Sequence, residues 1–350
     1  SVVGRVYVFE VAETILPFGR SEGKSDAGTA KLPSSTAAAQ KTDLHKALSE
    51  HLIDALPPKK HSLYKVSRHH FDVPGKMLRS SLALAACLQQ SMPLKPALDW
   101  AVAIELLHNA SLVHDDICDN DRLRRDRPSL WAAFGQPLAI CFGDWLIGKS
   151  FELAAQAQAA TGAPFTALLA KTMSELSTGQ AAEFTGTTLP DCDAYLAIVS
   201  GKTTPLFMAA IEGAFLVSNA LPKDDMQVCR KLFEHIGFAY QIGNDIDNHN
   251  ALKAGAETGD LLRGAPNAVY ILYRALLTND KRMAFDNWQN SENKHYATRW
   301  LTDISASEAE TLAFNQFADH LAAMKLYQTK LSPALAQLVA PIGEYLSRSQ

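Results

Sequence analysis

The chain has 350 residues, 47% of them apolar and 20% charged, which is enough apolar material for a sizeable core and excludes disorder along the whole chain. Lys and Arg number 33 against 37 Asp and Glu, a formal charge of −4. No global basic excess points to nucleic acid or an anionic membrane, so a polyanion would have to be met by a local cluster. Cys87, Cys118, Cys141, Cys192 and Cys229 are far apart and form no CxxC pair. A zinc site or a disulfide framework is therefore not expected, and a reducing, cytoplasmic setting is. No stretch of about 18 uncharged apolar residues predicts a membrane span, and the first residues lack the basic head and apolar core of a secretory signal.

In chain order, residues 2–11 (VVGRVYVFEV) are β-branched and aromatic, and read as an added strand, a swapped arm or an expression remnant. A Gly-, Ser- and Ala-rich stretch follows, so residues 1–41 are expected to be an N-terminal arm or linker. From residue 42 the pattern is helical. Apolar residues recur with helical spacing over 75–90, 96–121, 137–160, 164–184, 191–220, 224–248, 267–277, 307–330 and 333–347, broken by short Pro or Gly clusters. No β-run with turn signals occurs after residue 12. The expectation is one all-α helical domain over 42–350, since no polar linker divides it.

The most informative stretch is LLHNASLVHDDICDNDRLRRDRP (106–128). Asp115, Asp116 and Asp119 form a DDxxD pattern, in which positions i and i+4 share a helix face and i+1 flanks it. Carboxylate oxygens are hard ligands that suit Mg²⁺, which takes its remaining ligands from water and phosphate. Arg124 and Arg125 follow, and the guanidinium fork matches phosphate oxygens. The plain alternative is a solvated helix end with ion pairs such as Asp121 with Arg125.

Together with further segments, this stretch resembles the trans-isoprenyl diphosphate synthases, the head-to-tail prenyltransferases. PGKMLRSSL (74–82) is similar to the family's GGKRxRP segment, and 106–128 to its first aspartate-rich motif. FGDWLIGKSFELA (142–154), STGQAAEF (177–184) and SGKTTPLF (200–207) resemble the segments that follow, the last two being the GQxxD/E helix and the KT motif. YQIGNDIDN (240–248) stands where FQxxDDxxD belongs, and GDLLRGAPNAVYIL (259–272) resembles the segment after it. The resemblance implies an all-α isoprenoid synthase bundle around a central cavity, homodimeric or in a heteromer. It implies two or three Mg²⁺ ions held by Asp115, Asp116 and Asp119 and by Asn244, Asp245 and Asn248. It implies that Arg124, Lys202, Thr203 and Gln241 serve an allylic prenyl diphosphate, and that Lys76, Arg79, His108 and Arg125 hold isopentenyl diphosphate. Asp115, Asp116, Lys202 and Asp245 are the implied catalytic residues.

The pattern also breaks. In the second motif only Asp245 is in register; Asn244 and Asn248 replace carboxylates, and Asp247 is one position early. Ala265 stands where the family has lysine, Asp126 where it has glycine, Trp131 where it has histidine, and Met77 and Ser80 where it has Arg and Pro. Class I terpene synthases share the fold, and Asn244 and Asp245 match the start of their NDxxSxxxE motif, although Asn248 and Leu252 do not complete it. A terpene synthase that uses no isopentenyl diphosphate, or a noncatalytic subunit of a heteromeric synthase, therefore stays open beside condensation. Ala110 and Ser111, just before the first aspartates, are small, and by the family pattern they predict a product of C20 or longer unless Leu107 or a facing helix blocks the path.

Overall fold

The structure is a computed structural model that describes residues 35–348 apart from 74, 187–188, 219 and 292–294; the side chains of 35–42 and 345–348 are also left out of account. The expected strand at 2–11 and the linker after it lie outside the described residues. The helix α1 (Ser35–Ala55) begins before the expected domain start at residue 42, so the last part of the expected arm is helical.

The rest is almost wholly helical: α2 (Tyr64–Phe71), α3 (Leu78–Gln89), α4 (Leu94–Cys118), α5 (Leu130–Phe134), α6 (Gln136–Thr161), α7 (Phe165–Glu183) and α8 (Cys192–Ser218). Then come α9 (Lys223–Lys253), α10 (Asp260–Arg263), α11 (Ala268–Leu276), α12 (Asn279–Gln289), α13 (Ala297–Ala306), α14 (Ala309–Thr329) and α15 (Pro333–Arg348). The long helices fall where the apolar periodicity predicts them. The sequence reading missed α2, α5, α10, α12 and α13, which are short, and it missed the one antiparallel pair among the described residues. That pair is β1 (Leu123–Arg124) and β2 (Arg127–Pro128), with Leu123 opposite Pro128 and Arg124 opposite Arg127. Two residues per strand leave no alternation to detect.

The described residues form two compact units. The first runs to Met173 and adds Leu206–Pro222 and Pro333–Ile342; the second comprises Ser174–Pro205, Lys223–Ser332 and the residues from Gly343 on.

In the first unit α4 packs between α3 and α6. It is apolar on every side, as a fully enclosed helix must be: Trp100, Ala101, Val102, Ile104 and Leu106 are all inaccessible. Its buried carboxylates and its buried amide are partnered. Asp99 accepts from His51 at 2.7 Å and from Lys95 at 2.8 Å. Glu105 accepts from Ser80 Oγ at 2.7 Å and from Asn109 Nδ2 at 3.2 Å, and Asn109 Oδ1 in turn faces His70 Nε2 at 2.9 Å. Ser80, which replaces the family's Pro, thus joins a buried polar network.

In the second unit α9 packs on α14, and α11 on α14. Its core gathers Ile242, Leu261, Tyr270, Ile271, Phe285 and Ile304, with an aromatic group of Tyr273, Phe285, Trp288 and Trp300 whose neighbouring ring centroids lie 5.1–6.4 Å apart. The helix α8 is by length and composition apolar enough to cross a membrane, but it carries Lys202 and more than half of its apolar stretch is buried inside the protein, as in a core helix.

Candidate active site

The candidate residues fall into two groups, one in each unit. In the first, α4 ends at Cys118 and its last turn presents the DDxxD carboxylates. The Asp119 N–H still reaches Asp115 O at 2.8 Å, so Asp115 and Asp119 lie one turn apart, both half-buried. Asn120 then adopts φ 54°, which ends the helix and leads into the hairpin.

Asp116 points elsewhere. It is 3% exposed, and Arg124 grips it with two parallel bonds, Nε to Oδ2 at 2.7 Å and Nη2 to Oδ1 at 2.6 Å. Burial works against the charge on Arg124, yet Asp116, with Asp115 and Asp121, carries its pKa above the ordinary value. The fork joins Arg124 to Asp116, eight residues earlier, and is not an i,i+4 pair of a solvated helix end. Asp115, Asp116 and Asp119, expected together as metal ligands, thus stand in different surroundings, both oxygens of Asp116 accepting from the Arg124 guanidinium.

The hairpin turn explains one departure from the family pattern. Arg125 and Asp126, the two residues between the strands, have φ of 52° and 61°, the arrangement of a type I′ turn. Glycine suits the second of these positions, and Asp tolerates it better than most residues because its short side chain fits the left-handed region. The turn sends Arg125 back to α2's end, where Nη1 donates to Val73 O at 2.5 Å and Nη2 comes within 2.9 Å of where a Cβ on Gly75 would lie. A residue with a side chain at 75 would push against this guanidinium.

Arg79, on the first turn of α3, donates through Nη1 to His108 Nε2 at 3.3 Å, and its guanidinium lies 4.4 Å from the centre of the Phe207 ring. Because Arg only donates, His108 Nε2 accepts and the imidazole is neutral. Burial, then the charges of Arg79, Arg124 and Arg125, hold the His108 pKa well below the ordinary value. Burial and Arg125 likewise lower that of Lys76. In the first unit, then, Arg79 is bonded to a neutral His108, and Arg125 acts on both His108 and Lys76. His70, behind Asn109, is held down to about 4 by burial and stays neutral too.

In the second unit, α7 and α8 cross backbone to backbone. A Cβ on Gly179 would lie 2.5 Å from the Gly201 carbonyl carbon, and one on Gly201 would lie 2.9 Å from Gly179 Cα. The close crossing sets Glu183, one turn after Gly179, against Lys202, at 2.7 Å. The motif STGQAAEF contains both the glycine and the glutamate, so this partner of Lys202 was available to sequence reasoning but not drawn from it. Gly237 of α9 makes room for Thr203: a Cβ there would meet Thr203 Cβ and Cγ2 at 3.3 Å. Gln241 stands one turn further along α9.

The second acidic motif is divided between buried and exposed positions. Asp245 is 1% exposed and accepts three hydrogen bonds: from Tyr195 OH at 2.5 Å, Ala268 N–H at 2.7 Å and Gln241 Nε2 at 2.8 Å. Burial pushes its carboxyl up to about 7 against the pull of these donors. Asn267 Nδ2 donates to the Asp245 carbonyl at 3.0 Å and to Asp260 Oδ2 at 2.9 Å. Asn248 is half-buried, and its Oδ1 accepts the Asp260 N–H at 3.0 Å, which fastens the start of α10 to α9. Asn244 and Asp247 are exposed. Sequence reasoning placed Asn244, Asp245 and Asn248 together as ligands; the structure gives each a different environment, and Tyr195 and Asn267 emerge as the residues that hold Asp245.

Among the described residues no three His, Cys, Asp or Glu side chains are gathered into a closed metal cage. Mg²⁺ is bound by one or two carboxylates and completes its shell with water and phosphate oxygens. Asp115 and Asp119, half-buried on one face at a helix end, fit this description.

The polyprenyl synthetase family model matches residues 60–302, so the chain belongs to that family, and it is a transferase of the polyprenyl diphosphate synthase kind. The chain is 29% identical over 223 residues to the short chain isoprenyl diphosphate synthase of Methanocaldococcus jannaschii, covering 63% of this chain and 68% of that protein. It is 32% identical over 230 residues to the all-trans-nonaprenyl-diphosphate synthase (geranyl-diphosphate specific) of Rhodobacter capsulatus, with the same two coverages. A crystal structure of a decaprenyl diphosphate synthase from Rhodobacter capsulatus shares the all-α isoprenoid synthase fold, with a TM-score of 0.76 at 23% identity over 91% of this chain and 99% of that one.

Proposed function

We propose that the chain elongates prenyl chains by joining an allylic prenyl diphosphate to isopentenyl diphosphate, with Mg²⁺ as the metal. One observation supports this reading over cyclisation: besides the carboxylates Asp115 and Asp119, the first unit carries the cationic side chains Lys76, Arg79 and Arg125. Asp115 and Asp119, beside the locked Arg124, suit a diphosphate that arrives with metal. Arg79 on neutral His108, with Arg125 and Lys76, suits a second diphosphate that arrives without it. A terpene synthase needs only the first group.

In this reading Asp115 and Asp119 would hold Mg²⁺, which stabilises negative charge on the leaving diphosphate. Asp116 does not need to ligate; it orients Arg124 so that the guanidinium faces developing phosphate charge with its geometry already set. His108, kept neutral by burial and then by its cationic neighbours, accepts from Arg79 and so orients its guanidinium. Lys76, Arg79 and Arg125 bind the acceptor, whose approach relieves their mutual repulsion. Lys202, Thr203, Gln241 and Asp245 are read as further contacts on the pattern of the family's motifs rather than on geometry. The five free thiols fit a reducing, cytoplasmic setting. A homodimer, a heteromer and a C20 or longer product remain part of the same proposal. The two relatives named above bear names from short chain to nonaprenyl at similar identity, so overall likeness does not fix product length.

The second motif gives the alternatives their one specific support: Asp245 is enclosed by donors and Asn248 is occupied as a cap, which weakens a metal site there. Incubation with Mg²⁺ and geranyl or farnesyl diphosphate, with and without isopentenyl diphosphate, decides between them. Longer diphosphates formed only when both substrates are present support elongation. Hydrocarbon or alcohol from the allylic substrate alone overturns it in favour of a terpene synthase, and no turnover in any mixture favours a noncatalytic subunit.

A further inference from the structure

Away from the candidate site, α9 and α14 of the second unit bring two histidines together. His235 Nδ1 and His320 Nδ1 are 3.0 Å apart, with ring centroids at 5.2 Å and an angle of 39° between the rings. Two imidazole nitrogens bound to one metal at about 2.0–2.1 Å lie about 2.9 Å apart at a right angle and about 3.3 Å apart at a tetrahedral angle. The observed separation falls within that interval.

The rings are also held in place. His235 stacks on Tyr327 at 5.4 Å and 20° and meets Phe238 edge-on at 5.9 Å. Phe238 contacts His320 at 5.0 Å. Two rotors fixed by aromatic packing lose little freedom when they bind a common ligand. Both histidines are half-buried and not enclosed; water would have to complete a coordination shell. Burial lowers both pKa values, that of His320 to about 4, so both rings are in the neutral, ligating form at neutral pH.

We propose that His235 and His320 form a two-histidine site for a borderline transition-metal ion of the Ni²⁺, Cu²⁺ or Zn²⁺ class, which clips α9 to α14. Imidazole nitrogens suit these ions and discriminate against Mg²⁺, so the clip is chemically separate from a carboxylate site. With two protein ligands and water elsewhere, the affinity belongs to a weak, exchangeable site. Binding would stabilise the helix pair by linkage, since the unfolded chain does not hold the two rings together.

The test uses the full chain without a histidine tag and without diphosphate. Ni²⁺ titrated by calorimetry at pH 7.5, and the melting temperature with and without Ni²⁺, are compared for the wild type, His235→Gln and His320→Gln. The site predicts saturable binding and a Tm rise of about 2 °C or more in the wild type, both lost in each variant, with no such response to Mg²⁺. Electron paramagnetic resonance of the wild type with one equivalent of Cu²⁺ should show coupling to two imidazole nitrogens, a readout that does not depend on either variant folding. Absent two-imidazole coupling, or Ni²⁺ binding equal in wild type and variants, overturns the proposal and leaves the pair as an N–H···N hydrogen bond between neutral rings.

Discussion

Arg124 and Asp116 form a two-bond fork, 2.7 and 2.6 Å, in which the aspartate is nearly inaccessible and the arginine side chain 27% exposed. The pair sets one carboxylate of the DDxxD motif against a cation of the hairpin that follows it. Removing one partner leaves the other buried with an unmatched charge, which is costlier than the loss of a surface ion pair. Arg124→Ala should therefore destabilise the protein by about 2–4 kcal/mol in urea unfolding, besides lowering turnover. Arg124→Lys, which keeps charge but cannot make the fork, should recover only part of both.

The three aspartates of the motif should separate by assay. Asp115→Asn and Asp119→Asn remove half-exposed carboxylates and should leave stability within about 0.5 kcal/mol, while raising the Mg²⁺ concentration needed for half-maximal activity at least tenfold. Asp116→Asn should instead lower stability, with a smaller change in the Mg²⁺ requirement. A Mg²⁺ titration of initial rate, paired with thermal melts, distinguishes the two classes. Equal Mg²⁺ shifts in all three variants would restore Asp116 as a direct ligand.

Asp245 sets a pH dependence of unusual sign. Its carboxyl ionises near 4 in an unfolded chain, and burial pushes it up to about 7 in the fold. Between these values the native state keeps a proton that the unfolded chain has released. Its contribution to stability is thus greatest below about pH 4, declines as pH rises towards 7, and levels off above that. Asp245→Asn should flatten this segment of the stability–pH curve, measured by denaturant unfolding from pH 4.5 to 8. The asparagine oxygen can accept from Tyr195 and Ala268, and a flipped Gln241 amide can accept from its NH₂. An unchanged curve in the variant would place the titration elsewhere.

Gly179 tests the crossing of α7 and α8. Gly179→Ala places a methyl group where the Gly201 carbonyl carbon leaves only 2.5 Å. Backbone cannot swing aside as a side-chain tip can, so a loss of about 1–3 kcal/mol is expected. The same shift should loosen the Lys202–Glu183 pair, so KM for the allylic substrate should rise along with the loss of stability. Gly148→Ala, at a helical glycine with open space around its Cβ, is the control and should be neutral or mildly stabilising.

Product length should respond to the small residues one turn before the first aspartates. Ala110 is 1% exposed, whereas Ser111 is half-buried, with Oγ on His108 O at 2.7 Å. Ser111→Phe can be accommodated with less crowding than Ala110→Phe, which overpacks α4. Both are expected to shorten the product by at least one C5 unit on chromatography of dephosphorylated products. An unchanged length in both would show that the chain does not run past this turn.

Much of this architecture is legible in the sequence because its long helices repeat apolar residues with a helical period, and because 106–128 carries carboxylates and arginines at fixed spacing. The limits are equally physical. The hairpin at 123–128 has too few residues for a pattern, and α12 is short and poor in apolar residues. The division of labour within DDxxD is invisible to spacing alone: Asp115 and Asp116 are adjacent, but only the fold turns Asp116 towards an arginine eight residues later. Asp245 is similar. Its register fits a ligand, while its enclosure depends on Tyr195, on the backbone of Ala268 and on Gln241, which come from three different elements.

The two asparagines of the second motif stand at different distances from reversal. Asn244 is exposed, so a carboxylate could return there at little structural cost. Asn248 has become a fastening: its amide oxygen holds the Asp260 N–H, and the Asp260 carboxylate in turn holds Asn267, which steadies the main chain at Asp245. A mutation that turned residue 248 outward towards a metal would release the first of three linked bonds. The motif's history can therefore be retraced readily at its first position but not at its last, and a gain of charge at 244 is the change that selection or design would reach first.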